Sequence, residues 1–135
     1  MSQTTQSPNS DLVTDGVRVR AAARYVPEQS NPDRSGYVYE YHIEIENQSE
    51  QTVQLRSRHW IILDAHGRRE DVRGDGVVGE FPRLEPGESY RYGSRCPLRT
   101  SWGTMEGSYR FLTREGEEFD VKVGRFFLVP SSAGE

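Results

Sequence analysis

Residues 74–79 carry the spacing G-x-G-x-x-G, a pattern in which backbone amides can cradle a phosphate group. In a dinucleotide-binding fold, this pattern follows a strand, opens a helix and is matched by an acidic residue about 20 positions later. Here Glu80-Phe81-Pro82 follows, which does not begin a helix, and Arg99 stands near the place of the acid. Two interpretations stay open: a glycine-rich loop between strands, or a backbone nest for an anion. The phosphate-binding candidates of the second are Gly74, Gly76 and Gly79.

Histidine and carboxylate side chains lie close together in the sequence around a predicted turn. His59, Asp64 and His66 are all side chains that bind divalent metals, and they are the metal candidates. Strand alternation places His59 and Asp64 on opposite faces, and His66 lies beyond the turn, which disfavours a common centre. The alternative is a hydrogen-bonded His59 beside Trp60, with the other histidines at the surface.

The nucleophilic side chains show no catalytic arrangement. Cys96 precedes Pro97 and has no histidine or asparagine partner at a recognisable spacing, which indicates a structural thiol. No serine lies in a G-x-S-x-G elbow. We therefore expect no enzymatic activity and no bound cofactor.

Arginine and aromatic side chains are interleaved at one place in the chain, at Arg56, Arg58 and Trp60. Tryptophan and arginine dominate the hot spots of protein interfaces, so this segment is a candidate partner-binding surface. In the alternative, Trp60 packs in the core of a sheet while its arginines pair with glutamates. A buried Trp60 would make the predicted location of the surface wrong.

Most of the chain alternates between apolar and polar residues with a period of two, which is typical of half-buried strands. Arginines on one such segment and glutamates on the next predict pairing across an antiparallel ladder. The predicted fold class is all-β, an immunoglobulin or fibronectin type III-like sandwich of about seven antiparallel strands, with a closed barrel as the alternative. The predicted strands are residues 17–26, 37–47, 52–64, 69–73, 88–95, 108–114 and 117–129.

Length and composition limit the class of protein. The 135 residues, at 15.4 kDa, suffice for one domain, which we place at residues 16–130 between a disordered tail at 1–15 and a flexible end at 131–135. No apolar run approaches the ~20 residues of a membrane helix, and no secretory signal opens the chain. A net charge of −4 argues against general nucleic-acid binding.

Several longer stretches resemble the ApaG-domain family (DUF525) of bacteria, in the same order along the chain, from about Val17 to Pro130. They include the segments at residues 25–30, 37–47, 53–60, 74–80, 84–90 and 103–109. Phe81, Arg95 and Ser101 depart from the family pattern.

The resemblance implies a fibronectin type III-like sandwich and a bacterial cytoplasmic protein without established enzymatic activity. It associates the protein with cobalt resistance and magnesium efflux. We expect a binding module that acts through an unknown protein partner, and a homodimer through edge strands is compatible with this fold. The alternative is a direct binder of divalent metal, or of pyrophosphate or a nucleotide, at residues 74–79.

Overall fold

The computed structural model describes residues 9–130. These residues form nine β-strands, with two single-turn 3-10 helices, Pro27–Gln29 and Pro32–Arg34, before the third strand. In chain order the strands are β1 (Ser10–Thr14), β2 (Val17–Tyr25), β3 (Tyr37–Asn47), β4 (Val53–Asp64), β5 (Arg69–Asp75), β6 (Arg83–Leu84), β7 (Ser89–Leu98), β8 (Gly103–Thr113) and β9 (Glu118–Leu128).

The strands form two antiparallel sheets that pack face to face. The first sheet has the order β1-β2-β3-β7, and the second has the order β5-β4-β8-β9, with β6 also paired to β4. Buried side chains from both inner faces form one core between them. The predicted all-β sandwich, consistent with an immunoglobulin or fibronectin type III-like fold, is confirmed. Because residues 9–130 divide into two separate sheets, they do not form a closed barrel.

The two sheets meet around the ring of Trp60, which is only 3% exposed. Its ring centroid lies 5.4 Å from that of Tyr41 in the first sheet. Within its own sheet it lies 6.0 Å from Tyr109 and 5.9 Å from Phe126, and all three contacts are edge-on. Such aromatic pairs each add about 0.5–1.5 kcal/mol beyond their burial, so this cluster stabilises the contact between the two sheets.

The outer face of the first sheet carries the predicted ladder of opposite charges. Arg20 lies opposite Glu44 in the register of β2 and β3, and their side chains are 3.0 Å apart. Arg24 pairs with Glu40 in the same way, also at 3.0 Å. The predicted cross-strand pairing is therefore confirmed. Each exposed pair contributes roughly 0.2–1 kcal/mol and favours this register of the two strands.

The prediction of a disordered tail through residue 15 is wrong for Ser10–Thr14, which forms β1. Asp15 and Gly16 both have positive φ, as a tight two-residue hairpin requires, and they turn β1 onto β2. Asp-Gly is itself a strong hairpin signal, but β1 is too short and polar to show alternation. The remaining tail residues, 1–8, and the predicted flexible end, 131–135, lie outside the described residues.

Strand β8 also begins earlier than its sequence indicates. Its first five residues include Gly103 and Gly107, and glycine is normally disfavoured within a strand. At both positions a Cβ atom would collide with a backbone carbonyl of β4, that of Leu63 or that of His59. The glycines therefore allow β8 to approach β4 closely rather than mark a loop.

Asn47 is a fully buried polar residue at the end of β3 that connects four segments of the chain. Its Nδ2 donates to the carbonyls of Gln51 at 2.8 Å and Leu84 at 3.0 Å. Its Oδ1 accepts hydrogen bonds from the backbone N–H of Ser49 at 3.0 Å and from its hydroxyl at 2.7 Å. Its backbone bonds the turn before β7. This side chain therefore connects the turn after β3 to β6, and its own buried polar atoms are fully hydrogen-bonded.

We expect Asn47→Ala to lower the free energy of unfolding by about 1–3 kcal/mol, because it leaves buried donors and acceptors unpaired. Urea denaturation followed by tryptophan fluorescence measures this loss. Gln48→Ala is the control, since Gln48 is exposed and makes one long side-chain bond to Glu46. Equal stability of the two variants would contradict this role of Asn47.

Candidate functional site

The predicted phosphate-binding segment is the end of an edge strand and a tight turn. Gly74 and Asp75 belong to β5, and the chain then turns back and continues into β6. The segment is followed by a strand, so the strand–loop–helix geometry that holds a dinucleotide does not occur here.

Within this turn, three backbone amides already have partners. Gly76 N–H donates to the carbonyl of Arg56 at 2.9 Å. Val77 and Glu80 exchange hydrogen bonds at 2.9 and 2.8 Å. The side chain of Val77 is fully buried in the core. The turn thus closes the edge of the sandwich, and these amides do not point at an open anion site.

Each of the three glycines has a local structural reason. Gly76 and Gly79 have positive φ, 62° and 82°. A Cβ on Gly76 would collide with the carbonyl oxygen of Glu80, whereas a Cβ on Gly79 meets nothing within 4 Å. A Cβ on Gly74 would lie 2.8 Å from the guanidinium of Arg58. Gly76 and Gly79 therefore allow the turn, and Gly74 leaves room for the side chain of Arg58.

The guanidinium of Arg58 lies over Gly74 and is hydrogen-bonded to the turn. Its Nη1 donates to the carbonyls of Asp75 at 3.0 Å and Gly76 at 2.8 Å. These charge-assisted bonds fix the turn against β4. Arg58 is half-buried, so it does not present its charge freely at the surface.

The predicted partner-binding surface at Arg56, Arg58 and Trp60 is corrected by the burial of Trp60, whose ring belongs to the core. Trp60 and Arg58 alternate along β4 with the outward-facing residues, so both point between the sheets. Arg56 is exposed and its guanidinium lies 5.3 Å from the ring centroid of Phe81. One of the three residues therefore remains available on the surface.

The structure does not bring the predicted metal ligands together. His59 Nε2–H donates to Asp71 at 2.7 Å. Asp64 instead accepts the backbone amides of His66 and Arg68, both at 2.9 Å, and closes the turn after β4. Between residues 9 and 130, no three His, Cys, Asp or Glu side chains are grouped so as to hold a metal ion.

Cys96 and the buried tyrosines are poor acids and nucleophiles. Burial raises the pKa of the Cys96 thiol to about 12, so the thiol stays protonated at neutral pH. Burial also raises the pKa of Tyr92 and of Tyr109, whose hydroxyls bond each other at 2.5 Å. These groups stabilise the core and do not form an activated site.

A group of exposed apolar side chains lies at one end of the outer face of the second sheet. Trp102 is 43% exposed, and Phe127 and Val129 are each 39% exposed. Gly103 pairs with Leu128 and Thr104 with Phe127, which brings Trp102 beside the end of β9. We call these three residues the β8–β9 patch. The sequence did not single it out, because Phe126-Phe127-Leu128 is a continuous apolar run and only the pairing shows that Phe127 points outward.

The patch is bordered by charged pairs. Arg125 lies 2.6 Å from Glu106 between β9 and β8, and Arg69 lies 2.7 Å from Asp71 on β5. Half-buried Leu63 on β4 pairs with Thr104, so apolar surface continues across the sheet toward β5. An apolar centre with a polar rim is the usual anatomy of a protein interface.

None of the helices found between residues 9 and 130 has the length and apolar character needed to cross a membrane.

These features define a two-sheet β-sandwich with an exposed aromatic patch. A family model described as "ApaG domain" (DUF525) matches residues 27–113. The chain therefore belongs to the ApaG-domain family. It is 47% identical over 116 residues to "Protein ApaG" of Beijerinckia indica, covering 86% of this chain and 89% of that protein. It is 47% identical over 120 residues to "Protein ApaG" of Anaeromyxobacter dehalogenans, covering 89% and 94%.

A crystal structure of the putative ApaA protein from Bordetella pertussis has the same fold, with a TM-score of 0.84 and 41% sequence identity. The match covers 94% of this chain and 98% of that chain. The names of these relatives do not specify an enzyme activity.

We expect Gly76→Ala to lower the free energy of unfolding by about 2–4 kcal/mol, since it combines a left-handed backbone with a backbone collision. Gly79→Ala is the matched control and should cost about 1 kcal/mol, because its Cβ enters open space. Urea denaturation of both variants measures the difference. Equal costs would show that the turn does not hold Gly76 as described.

The pair between His59 and Asp71 predicts a dependence of stability on pH. Hydrogen bonds from Arg69 and His59 hold the pKa of the Asp71 carboxyl well below its ordinary value. Its contribution to stability is therefore present above the unfolded-state pKa and is lost as the pH falls. The difference in urea midpoint between wild type and Asp71→Asn should shrink between about pH 5 and pH 2.

The control for this titration is Asp33→Asn, because Asp33 has no side-chain hydrogen bond or ion pair with other residues in the described range 9–130. The urea midpoint of this variant at neutral pH should lie close to that of wild type. A constant difference for Asp71→Asn would contradict the assigned role of this carboxylate.

Proposed function

We propose that this protein is a non-enzymatic binding module that acts through protein–protein contacts, and that the β8–β9 patch is its main contact surface. The observation that carries this proposal is the exposure of Trp102, Phe127 and Val129 together at one end of a sheet. Large exposed apolar groups of this kind mark interaction sites more often than single scattered residues do.

The composition of the patch supports a protein partner. Trp102 supplies a large ring of the type that anchors interfaces, and Phe127 and Val129 widen the apolar centre. The pair formed by Glu106 and Arg125 gives the rim charges that select an orientation. A pair of exposed charges by itself adds little affinity, so we assign the binding energy to the apolar centre.

The chemistry of the remaining side chains supports a role without catalysis. The thiol of Cys96 is buried and protonated, and Asp71 is held as a carboxylate by its neighbours. Neither group is poised to exchange a proton near neutral pH, as general acid–base chemistry requires.

The resemblance to the family associates this protein with cobalt resistance and magnesium efflux in the bacterial cytoplasm. We propose that its influence on divalent cations is indirect and passes through the protein that binds the β8–β9 patch. The predicted metal ligands have other contacts: His59 bonds Asp71, and Asp64 accepts the backbone N–H of His66. These contacts support an indirect role over direct chelation.

The second candidate function is direct binding of a divalent metal or pyrophosphate at residues 74–79. It draws support from Arg73, whose side chain has no hydrogen bond or ion pair with other residues between 9 and 130. We rank it below protein binding because Gly76, Val77 and Glu80 already use their amides within the turn.

We expect Trp102→Ala to weaken binding to the partner at least about tenfold while leaving the melting temperature within about 2 °C of wild type. The partner is first identified by cross-linking in a bacterial lysate, and the complex is then rebuilt from purified components and measured by calorimetry. Phe81→Ala is the control, because Phe81 is equally exposed but lies by β6, outside the patch.

Two results would contradict the proposal. One is a purified complex whose affinity is the same for wild type and Trp102→Ala. The other is a saturable shift of the amides at residues 74–79 on titration with Co²⁺, Mg²⁺ or pyrophosphate, which would make direct ligand binding the better assignment.

A further inference from the structure

Strand β5 is an edge strand of the second sheet, and it pairs with β4 on one side. The hydrogen bonds from Asp64 N–H to the Arg68 carbonyl and from Gly76 N–H to the Arg56 carbonyl lie at the two ends of this pairing. By the alternation of an antiparallel ladder, residues 69, 71 and 73 direct their N–H and C=O groups away from β4. Asp75 has the same phase, and its carbonyl also accepts a hydrogen bond from Arg58. Such an edge is a template for another strand.

We propose that this edge binds the same edge of a second copy of the chain, antiparallel and with the two-fold axis at Val72. In this register Arg69 of one copy lies opposite Asp75 of the other, and Asp71 lies opposite Arg73. The symmetry repeats both pairs. Every charged residue on the outer face of β5 then lies opposite a residue of the other sign.

The charges also select this register over its neighbours. A shift of the axis to residue 71 places Asp71 opposite itself and Arg69 opposite Arg73. A shift to residue 73 places Arg73 opposite itself and Asp71 opposite Asp75. Like charges directly opposite one another destabilise an antiparallel pair. Among registers of similar overlap, the charges are complementary only with the axis at Val72.

The inner face of the strand fits the same register. Glu70 of one copy lies opposite Gly74 of the other, and Gly74 is the position covered by the guanidinium of Arg58. A carboxylate therefore approaches a cation on this face too. Val72 meets its own symmetry mate, so no like charges meet on either face.

Within the described part of one chain, Arg69 and Asp71 pair with each other, whereas three other charges of β5 have no partner. Among residues 9–130, the side chains of Glu70, Arg73 and Asp75 make no hydrogen bond or ion pair. The second copy supplies a partner of opposite sign to each of them. Because of this complementarity, we infer that the strand that pairs with β5 is the β5 of a second copy.

Strand β7, an edge strand of the first sheet, does not fit itself in this way. Its charged residues are Arg91 and Arg95, and it contains no acidic residue. Pro97 also lacks the N–H that a new strand would need. Self-pairing of β7 therefore brings only positive charges together, and we assign the contact to β5.

The inference does not rest on the proposed partner binding, because the apolar centre of the β8–β9 patch lies at β8 and β9, and β5 contributes only Arg69 and Asp71 to its border. The paired copies would share one continuous sheet, with the patch of each copy still open. Failure of one proposal therefore leaves the other standing.

The test is sedimentation velocity of the full chain from about 1 to 500 µM in low and high salt. We expect a monomer–dimer equilibrium that weakens as the salt concentration rises, because the pairs are exposed. Arg69→Asp and Asp75→Arg should each raise the dimer Kd about tenfold or more, because each puts like charges opposite in two places. Arg114→Asp at a hairpin turn makes the same change of charge as Arg69→Asp and should have no effect.

Mixing the two variants gives the decisive result. A heterodimer of Arg69→Asp with Asp75→Arg restores an opposite charge at every pair, so the mixture should associate as tightly as wild type. In a Cys96→Ser background, Val72→Cys should also form a disulfide-linked dimer on oxidation, because opposed residues at a non-hydrogen-bonded position lie within disulfide range.

Three results would overturn the inference. The first is a wild-type chain that stays monomeric over the whole concentration range in low salt. The second is a dimer whose Kd is the same for wild type, Arg69→Asp and Asp75→Arg. The third is a mixture of the two variants that associates no better than either variant alone.

Discussion

The burial of one indole ring, that of Trp60, is the constraint that orders the rest of this sandwich. Its edge-on contact with Tyr41 joins the two sheets, and its contacts with Tyr109 and Phe126 hold it within its own sheet. Because side chains alternate along a strand, a slip of β4 by one residue would expose this ring and bury His59 in its place. The position of Trp60 thus decides which side chains of β4 face the core and which face solvent.

The same alternation explains why the glycine spacing is structural. Arg58 lies two residues before Trp60 and must also point between the sheets, near the open edge. Gly74 gives its guanidinium room, and the carbonyls of Asp75 and Gly76 use its charge. The charge of Arg58 is used within the turn, and the side chain of Val77 is buried in the core. Neither residue is therefore available to bind an anion.

The two surfaces that we propose for recognition lie at separate places on the second sheet. The β8–β9 patch is apolar with a charged rim, as suits a different protein. The edge of β5 is polar and self-complementary, as suits a second copy. Membership of the ApaG-domain family gives the fold and its relatives, while these two surfaces are properties of the side chains on this chain.

The alternation along β2, β3 and β4 by itself determined the all-β class, because alternation is a local property of each strand. The opposite charges on β2 and β3 also indicated that these two strands pair, arginine against glutamate. Local spacing did not decide whether the glycines bind phosphate, whether the histidines bind metal, or whether Trp60 lies on a partner-binding surface. Their roles depend on contacts made by residues distant in sequence: the Arg58 guanidinium above Gly74, Asp71 beside His59, and Tyr41 against Trp60. The exposure of Phe127 was likewise decided only by tertiary structure, since a continuous apolar run gives no sign of which residue faces solvent.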